Sequence, residues 1–189
     1  MSNPSLVIAL AEDEHHRMLV LRYLKKSGLK DHAIRIRQSP AGQGSAENWV
    51  RREFVKETEA YRVRQARART ALIVIIDADA YTVQDRLNQL DQALQGSGRQ
   101  TVGGGEEIAR LVPKRNVETW ILCLNGRRLD GRPVDEDTNY KERMGIDWSP
   151  LIPPAAHTLR QWTRSRTGPP NHCVSSLRIG VRELKRLRF

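Results

Sequence analysis

Two stretches, SLVIAL at 5–10 and ALIVII at 71–76, are almost wholly apolar, stop at acidic residues and lead toward segments with helical spacing. A strand with one wet face alternates polar and apolar residues. One with no polar position is buried on both faces, as in a parallel sheet covered by helices. The second run is the most hydrophobic in the chain and is expected at the sheet's centre. HAIRIRQ at 32–38 does alternate, Ile34 and Ile36 against Arg35 and Arg37, and belongs near an edge. IARLVP reads as a fourth strand ending at Pro113.

Helical spacing fills the intervals. Met18, Leu21 and Leu24 fall three apart before Gly28. A Gly-rich loop at 41–44 leads to Ser45 as an N-cap, followed by Val50, Phe54 and Tyr61 on one side of a helix. Val83, Leu87, Leu90 and Leu94 mark a third helix. NVETWILCL is a fourth, capped by Asn116 and stopped at Asn125-Gly126. Residues 126–156, with Pro153-Pro154, read as loop. SSLRIGVRELKRLRF reads as a terminal basic helix, capped by Ser175 or Ser176, with Leu177, Val181 and Leu184 inward. The expected class is α/β: one domain over 1–150 with about four parallel strands flanked by helices, and a basic helical extension at 151–189 packed on the same core. A chain of 189 residues with 39% hydrophobic content has room for one such core.

The formal charge of +10 exceeds what a protein of small neutral substrates needs, and points to a polyanion, nucleic acid ahead of an anionic membrane surface. Residues 157–189 carry eight Lys or Arg against the single acid Glu183. Arg51, Arg52, Arg115, Arg160, Arg164 and Arg182 are the candidate phosphate contacts, of a kind that binds without sequence preference. Cys123 and Cys173 are too few for a disulfide framework. No apolar run has the length of a membrane span, and MSNPSLVIAL lacks the charged start of a signal peptide, so the expected location is the cytoplasm. Gly103–Gly105 precede Glu106 instead of the Lys-Ser/Thr of a P-loop, so any ATP dependence has to come from a partner.

In parallel sheets ligands gather at the carboxyl ends of strands. That places Glu12, Asp13 and Glu14 after the first strand, Asp77 and Asp79 after the central one, and Glu118 past the fourth, on one rim. Crowded carboxylates repel unless a cation compensates, and hard oxygen donors without zinc-type Cys or His spacing select Mg2+ or Mn2+. The plainer reading makes Asp13, Glu14 and Asp79 turn formers or helix caps. His15 and His16 read as a solvated pair opening a helix, with proton transfer or ligation as the alternative. Trp120, Trp49 and Trp162 read as packing residues before base-stacking ones.

Three families place acids in this way. VIIDADAYT resembles the first motif of haloacid-dehalogenase-type phosphatases, without their later acids. AEDEHHRMLVLRYLKKSG resembles the opening of a receiver domain, but the interval from Asp77 to Lys114 is too short for the elements a receiver needs. An early strand ending in Glu and a later one ending in Asp-x-Asp resemble a Toprim domain. PKRNVETWILCLNG, VDEDTNYK, GQGSAENWVRREF and SLRIGVREL are similar to small stand-alone Toprim-like proteins, related to OLD nucleases, that accompany SMC- or ABC-type ATPases in bacterial defence and repair loci. This resemblance implies a Toprim-like Rossmannoid sheet. By position Glu12, Asp77 and Asp79 are metal ligands, Glu118 is a further acid, and Lys141 is a cation for developing phosphate charge. Which of Glu12, Asp13 and Glu14 ligates is open. The implied activity is Mg2+-dependent (or Mn2+-dependent) cleavage of DNA or RNA by an effector subunit of an ATPase-containing system, with oligomers possible. The alternatives are a non-catalytic nucleic-acid-binding or sensor subunit and, third, phosphotransfer through Asp77.

Overall fold

The two apolar runs lie side by side. In the computed structural model, which describes residues 3–41, 45–129, 131–142, 145–171 and 173–189, strands β1 (Leu6–Ala11), β2 (Ile34–Gln38), β3 (Thr70–Ile75) and β4 (Ile108–Leu111) form one parallel sheet in the order β2-β1-β3-β4. β1 and β3 are the interior pair, Leu6 opposite Thr70 and Ala11 opposite Ile75. β2 is an edge, as its alternation predicts. Its Arg35 and Arg37 are exposed while Ile34 and Ile36 are half-buried.

Among the described residues six helices flank the sheet: α1 (Glu14–Lys26), α2 (Ala46–Gln65), α3 (Val83–Gly96), α4 (Val117–Leu124), α5 (Ile152–Arg164) and α6 (Ser175–Lys185). The protein is thus α/β, with a Rossmann-like parallel sheet between helical layers. Because strand side chains alternate, Val7, Ala9, Ala11, Ala71, Ile73 and Ile75 pack with α1, α4, α5 and α6, while Ile8, Leu10, Leu72 and Val74 pack with α2 and α3. Truncating one of these fully buried aliphatics, Leu72 for example, to alanine costs about 2–5 kcal/mol. The inner residues of α5 and α6, among them Ile152, Ala156, Leu159, Leu177 and Val181, belong to the same buried cluster as one face of the sheet. A two-residue hairpin, β5 (Arg128–Leu129) with β6 (Arg132–Pro133), lies beyond α4.

Three details depart from the expected pattern. The inner stripe of α1 is His16, Leu19, Val20, Tyr23 and Leu24, about one position away from Met18 and Leu21. Helix α5 begins inside the expected loop, since Pro153 and Pro154 sit in its first turn, where a missing N–H leaves no bond unmade. Helix α6 has no serine cap: the Glu136 carboxylate accepts the Ser176 N–H at 3.0 Å, and the Ser176 hydroxyl accepts from Trp120 Nε1 at 2.9 Å. Trp120 is a packing residue, fully buried against Gly180, where an added Cβ would fall 2.3 Å from the indole. Gly42–Gly44 of the expected Gly-rich loop lie outside the described residues. Ser45 caps α2 by accepting the Asn48 N–H at 3.4 Å. No helix among the described residues is long and apolar enough to cross a membrane.

Candidate metal centre

The chain runs from β1 outward to β2 on one side and to β3 on the other, which makes the gap between β1 and β3 a switch point, where open parallel sheets leave a crevice. Glu12 follows the last residue of β1, and Asp77 stands two residues past β3. They are tied directly, because the Asp77 N–H donates to Glu12 Oε2 at 2.9 Å. Asp77 is only 4% exposed.

His16 closes the group. It occupies the first turn of α1 on the buried stripe and is 0% exposed. Its Nδ1 lies 2.7 Å from Asp13 Oδ1 and its Nε2 lies 2.9 Å from Asp77 Oδ1. Asp13 also caps α1, accepting the His16 N–H at 3.1 Å, and its second oxygen accepts from Lys141 Nζ at 2.5 Å. Asp13 is therefore a helix cap and a carboxylate of the rim at once.

Burial and pairing perturb these groups in the way buried charge clusters do. Burial opposes charge on His16, yet the Asp77 and Asp13 carboxylates hold its pKa well above the ordinary imidazole value. Burial pushes the Asp77 carboxyl up to about 7 against the pull of His16. Burial also raises Glu12, with His16 and the Asp77 N–H opposing. Asp13 moves the other way: burial would raise it, but His16 and Lys141 hold it far below the usual carboxylate range.

A second pair flanks the first. His15 Nδ1 stands 2.6 Å from Glu118 Oε1, a bond that raises the His15 pKa. Glu118 is wholly buried in the first turn of α4, and its Oε2 has no hydrogen-bond partner. The His15 side chain remains 29% exposed.

Asp79 stands apart. It adopts a left-handed backbone with φ of 56°. Its side chain is 54% exposed, and its Oδ2 lies 3.7 Å from Arg86 Nη2. Arg86, fully buried on α3, pins this loop: Nε donates to the Asp77 carbonyl at 2.9 Å, and the guanidinium pairs with Glu47 and with Gln89 Oε1.

One ligand atom each from Glu12, His16 and Asp77 lie within 4.8 Å of one another, close enough to share one ion. Asp13, Lys141, His15 and Glu118 surround that group; Asp79 is not one of the three, although its charge helps to raise Glu12. Of the arginines, Arg51 pairs with Glu47 in an early turn of α2, Arg52 lies beside Glu53, both line a groove between α2 and α3, and Arg115 precedes α4. Arg164 falls in the last turn of α5 with Arg160 one turn before it, and Arg182 is exposed on α6. Sequence reading did not single out Arg86 and ranked His16 as solvated. Both sit at core positions of an amphipathic helix, His16 with Leu19, Val20 and Tyr23, and Arg86 with Val83 and Leu90. For Arg86, a charged residue on the stripe of Val83 and Leu90 was the available signal.

No family model matches this sequence, and no curated protein or solved structure matches it either.

Proposed function

We propose that the chain is a divalent-metal-dependent nuclease of Toprim type that hydrolyses phosphodiesters of DNA or RNA. One observation carries this reading: Glu12, His16 and Asp77 bring ligand atoms within 4.8 Å of one another at the switch point of a parallel sheet. A buried carboxyl raised to about 7 beside a second raised carboxyl is a set that a cation would relieve. With His16 retained on Asp77, the free oxygens of Glu12 and Asp77 suit Mg2+. With its Nε2 released, the mixed oxygen and nitrogen set suits Mn2+ better. When bound, the ion supplies Lewis acidity toward phosphoryl oxygens and lowers the pKa of water.

The chain's own groups then divide the work. Glu12 and Asp77 would hold the ion, and His16 is a positioning residue that fixes Asp77 against Asp13. Lys141, at the open side of Asp13, offsets charge as the phosphodiester breaks. Glu118 orients His15, whose part-exposed ring exchanges a proton with the reacting oxygens. Arg51, Arg52 and Arg115 take neighbouring phosphates. The ATPase partner, the defence or repair setting and a cytoplasmic location are proposed from the family resemblance and the composition.

A second reading, nucleic-acid binding without cleavage, draws on the same geometry, since the His16 ring already bridges Asp13 and Asp77 in the place a cation would take. Phosphotransfer through Asp77 is disfavoured by its burial and its bond to His16. Incubating the full chain with plasmid DNA and with RNA, each with Mg2+, Mn2+ or EDTA, separates the readings. The nuclease shortens a substrate only with metal; a binding subunit shifts its mobility and leaves its length unchanged.

A further inference from the structure

A second unusual concentration of charge lies at the other end of the sheet. Seven residues past His16, roughly 10 Å along α1, Tyr23 enters a surface cavity of about 290 Å³ shared with Arg160, Thr163 and Arg164 of α5 and with Lys185 and Arg188 at the end of the chain described. None of the lining side chains is acidic. The single acid of segment 157–189, Glu183, is engaged elsewhere, by the Arg110 N–H at 3.0 Å and by Arg186.

The donors here are under-used. Arg160 gives one N–H to the Phe189 carbonyl at 3.1 Å, but its Nε is buried without an acceptor. A buried donor left unpaired is destabilising, and it marks a place where an acceptor belongs. Burial depresses the Arg160 pKa, Tyr23 opposes that, and Arg164 adds to it. Lys185 spends one N–H on the Ser165 carbonyl at 2.8 Å and retains two. The Tyr23 and Thr163 hydroxyls lie 3.5 Å apart, and Thr163 donates to the Arg160 carbonyl at 2.9 Å. Arg188 adopts a left-handed backbone with φ of 52°, and its carbonyl accepts from Arg69 Nη2 at 3.2 Å. That unfavourable conformation is held in place by a bond to another element, as at sites where geometry is imposed.

We infer that this cavity is a phosphate-binding site, separate from the acidic rim, in which Arg160, Arg164, Lys185 and Arg188 surround one oxyanion and supply its donors. Guanidinium forks and ammonium groups bind phosphate oxygens through charge-assisted bonds, and a lining with no acidic side chain leaves them available, apart from the Arg160 N–H held by the Phe189 backbone oxygen. The phosphate comes either from a nucleic-acid backbone or from a small phosphorylated molecule. The inference stands apart from cleavage at the rim, because binding is read without metal.

The test uses the full chain in EDTA at low salt. Inorganic phosphate binding is followed by calorimetry, and binding of a short labelled single-stranded oligonucleotide by anisotropy. The double variant Arg164→Gln with Lys185→Gln changes only exposed side chains, so it folds even where Arg160→Gln does not. It should bind phosphate at least about tenfold more weakly, the loss expected from one charge-assisted contact, while Arg35→Gln on the far sheet edge should bind as the unaltered chain does. A parallel loss of oligonucleotide affinity, with phosphate competing, assigns the site to a nucleic-acid backbone. Phosphate binding lost with oligonucleotide affinity unchanged assigns it to a small phosphorylated ligand. The inference is overturned if the unaltered chain does not bind phosphate, or if the double variant binds it equally well.

Discussion

The two ends of the sheet handle charge in opposite ways. At the carboxyl ends of β1 and β3, Glu12, Asp13 and Asp77 are drawn in around a buried histidine, and every group in the cluster has its proton affinity moved. At the other end, Arg164, Lys185 and Arg188 stay exposed and of one sign, with little opposing charge. The contrast separates two properties that a single net charge of +10 runs together. Exposed like charges attract a polyanion and are screened by salt. Buried opposite charges set up a place where protons and metal ions compete. The basic composition therefore speaks to the partner, and the sparse acids speak to the chemistry.

The sharpest way to break this division is to remove the acids. Asp77→Ala and Glu12→Ala should each lower metal-dependent cleavage on the order of 10³-fold, the range seen when a charge-stabilising group is lost, with melting curves showing a folded chain. Full activity in both would place the chemistry elsewhere. A second comparison is of stability. Arg86→Gln removes a wholly buried guanidinium from Glu47 and the Asp77 carbonyl and should cost about 3 kcal/mol in urea unfolding. Arg164→Gln, at the exposed end, should stay within about 0.5 kcal/mol.

Acidity gives a third contrast. His16 and Asp77 both hold protons more tightly when folded than when unfolded. The stability that their raised pKa values confer is present at low pH and is lost as pH rises, for Asp77 from its unfolded value near 4 to about 7 and for His16 through its higher folded value. In EDTA the unfolding free energy should fall by a few kcal/mol between about pH 4 and about pH 7. A saturating divalent ion, which binds the deprotonated groups, should flatten that decline. The smallest expected effect is at Asp79: Asp79→Asn removes a charge that is exposed, and should change cleavage by no more than about threefold.

Much of the fold was legible because continuous apolar runs leave few options. β1 and β3 could be buried on both faces only in a covered parallel sheet, and the alternation of β2 marked it as an edge. Glu12 and Asp77 were legible for the same reason, as acids at the ends of those strands. His16 was not, because α1 has apolar residues on more than one side. Met18 and Leu21 compete with Leu19 and Val20 for the inner face, and tertiary packing decided between them. A rotation of about one residue is what separates a solvated histidine from a buried one. Asp79 was misleading in a related way: the Asp-x-Asp spacing does not show that the second residue takes a left-handed turn, which Arg86 secures from nine residues beyond Asp77. Helix α5 did carry a signal, Ile152, Ala155, Ala156 and Leu159 at helical spacing, but Pro153-Pro154 drew the eye to a loop.

The central claim is that Glu12 and Asp77, with His16 fixing Asp77, hold one divalent ion, and titrating Mn2+ into the metal-free chain while following free Mn2+ by electron paramagnetic resonance tests it most directly. The account predicts one ion per chain, bound with proton release, with affinity reduced about 100-fold or more in Asp77→Asn and in Glu12→Gln and little changed in Asp79→Asn. Absence of binding by the unaltered chain, or equal binding by Asp77→Asn, would contradict it.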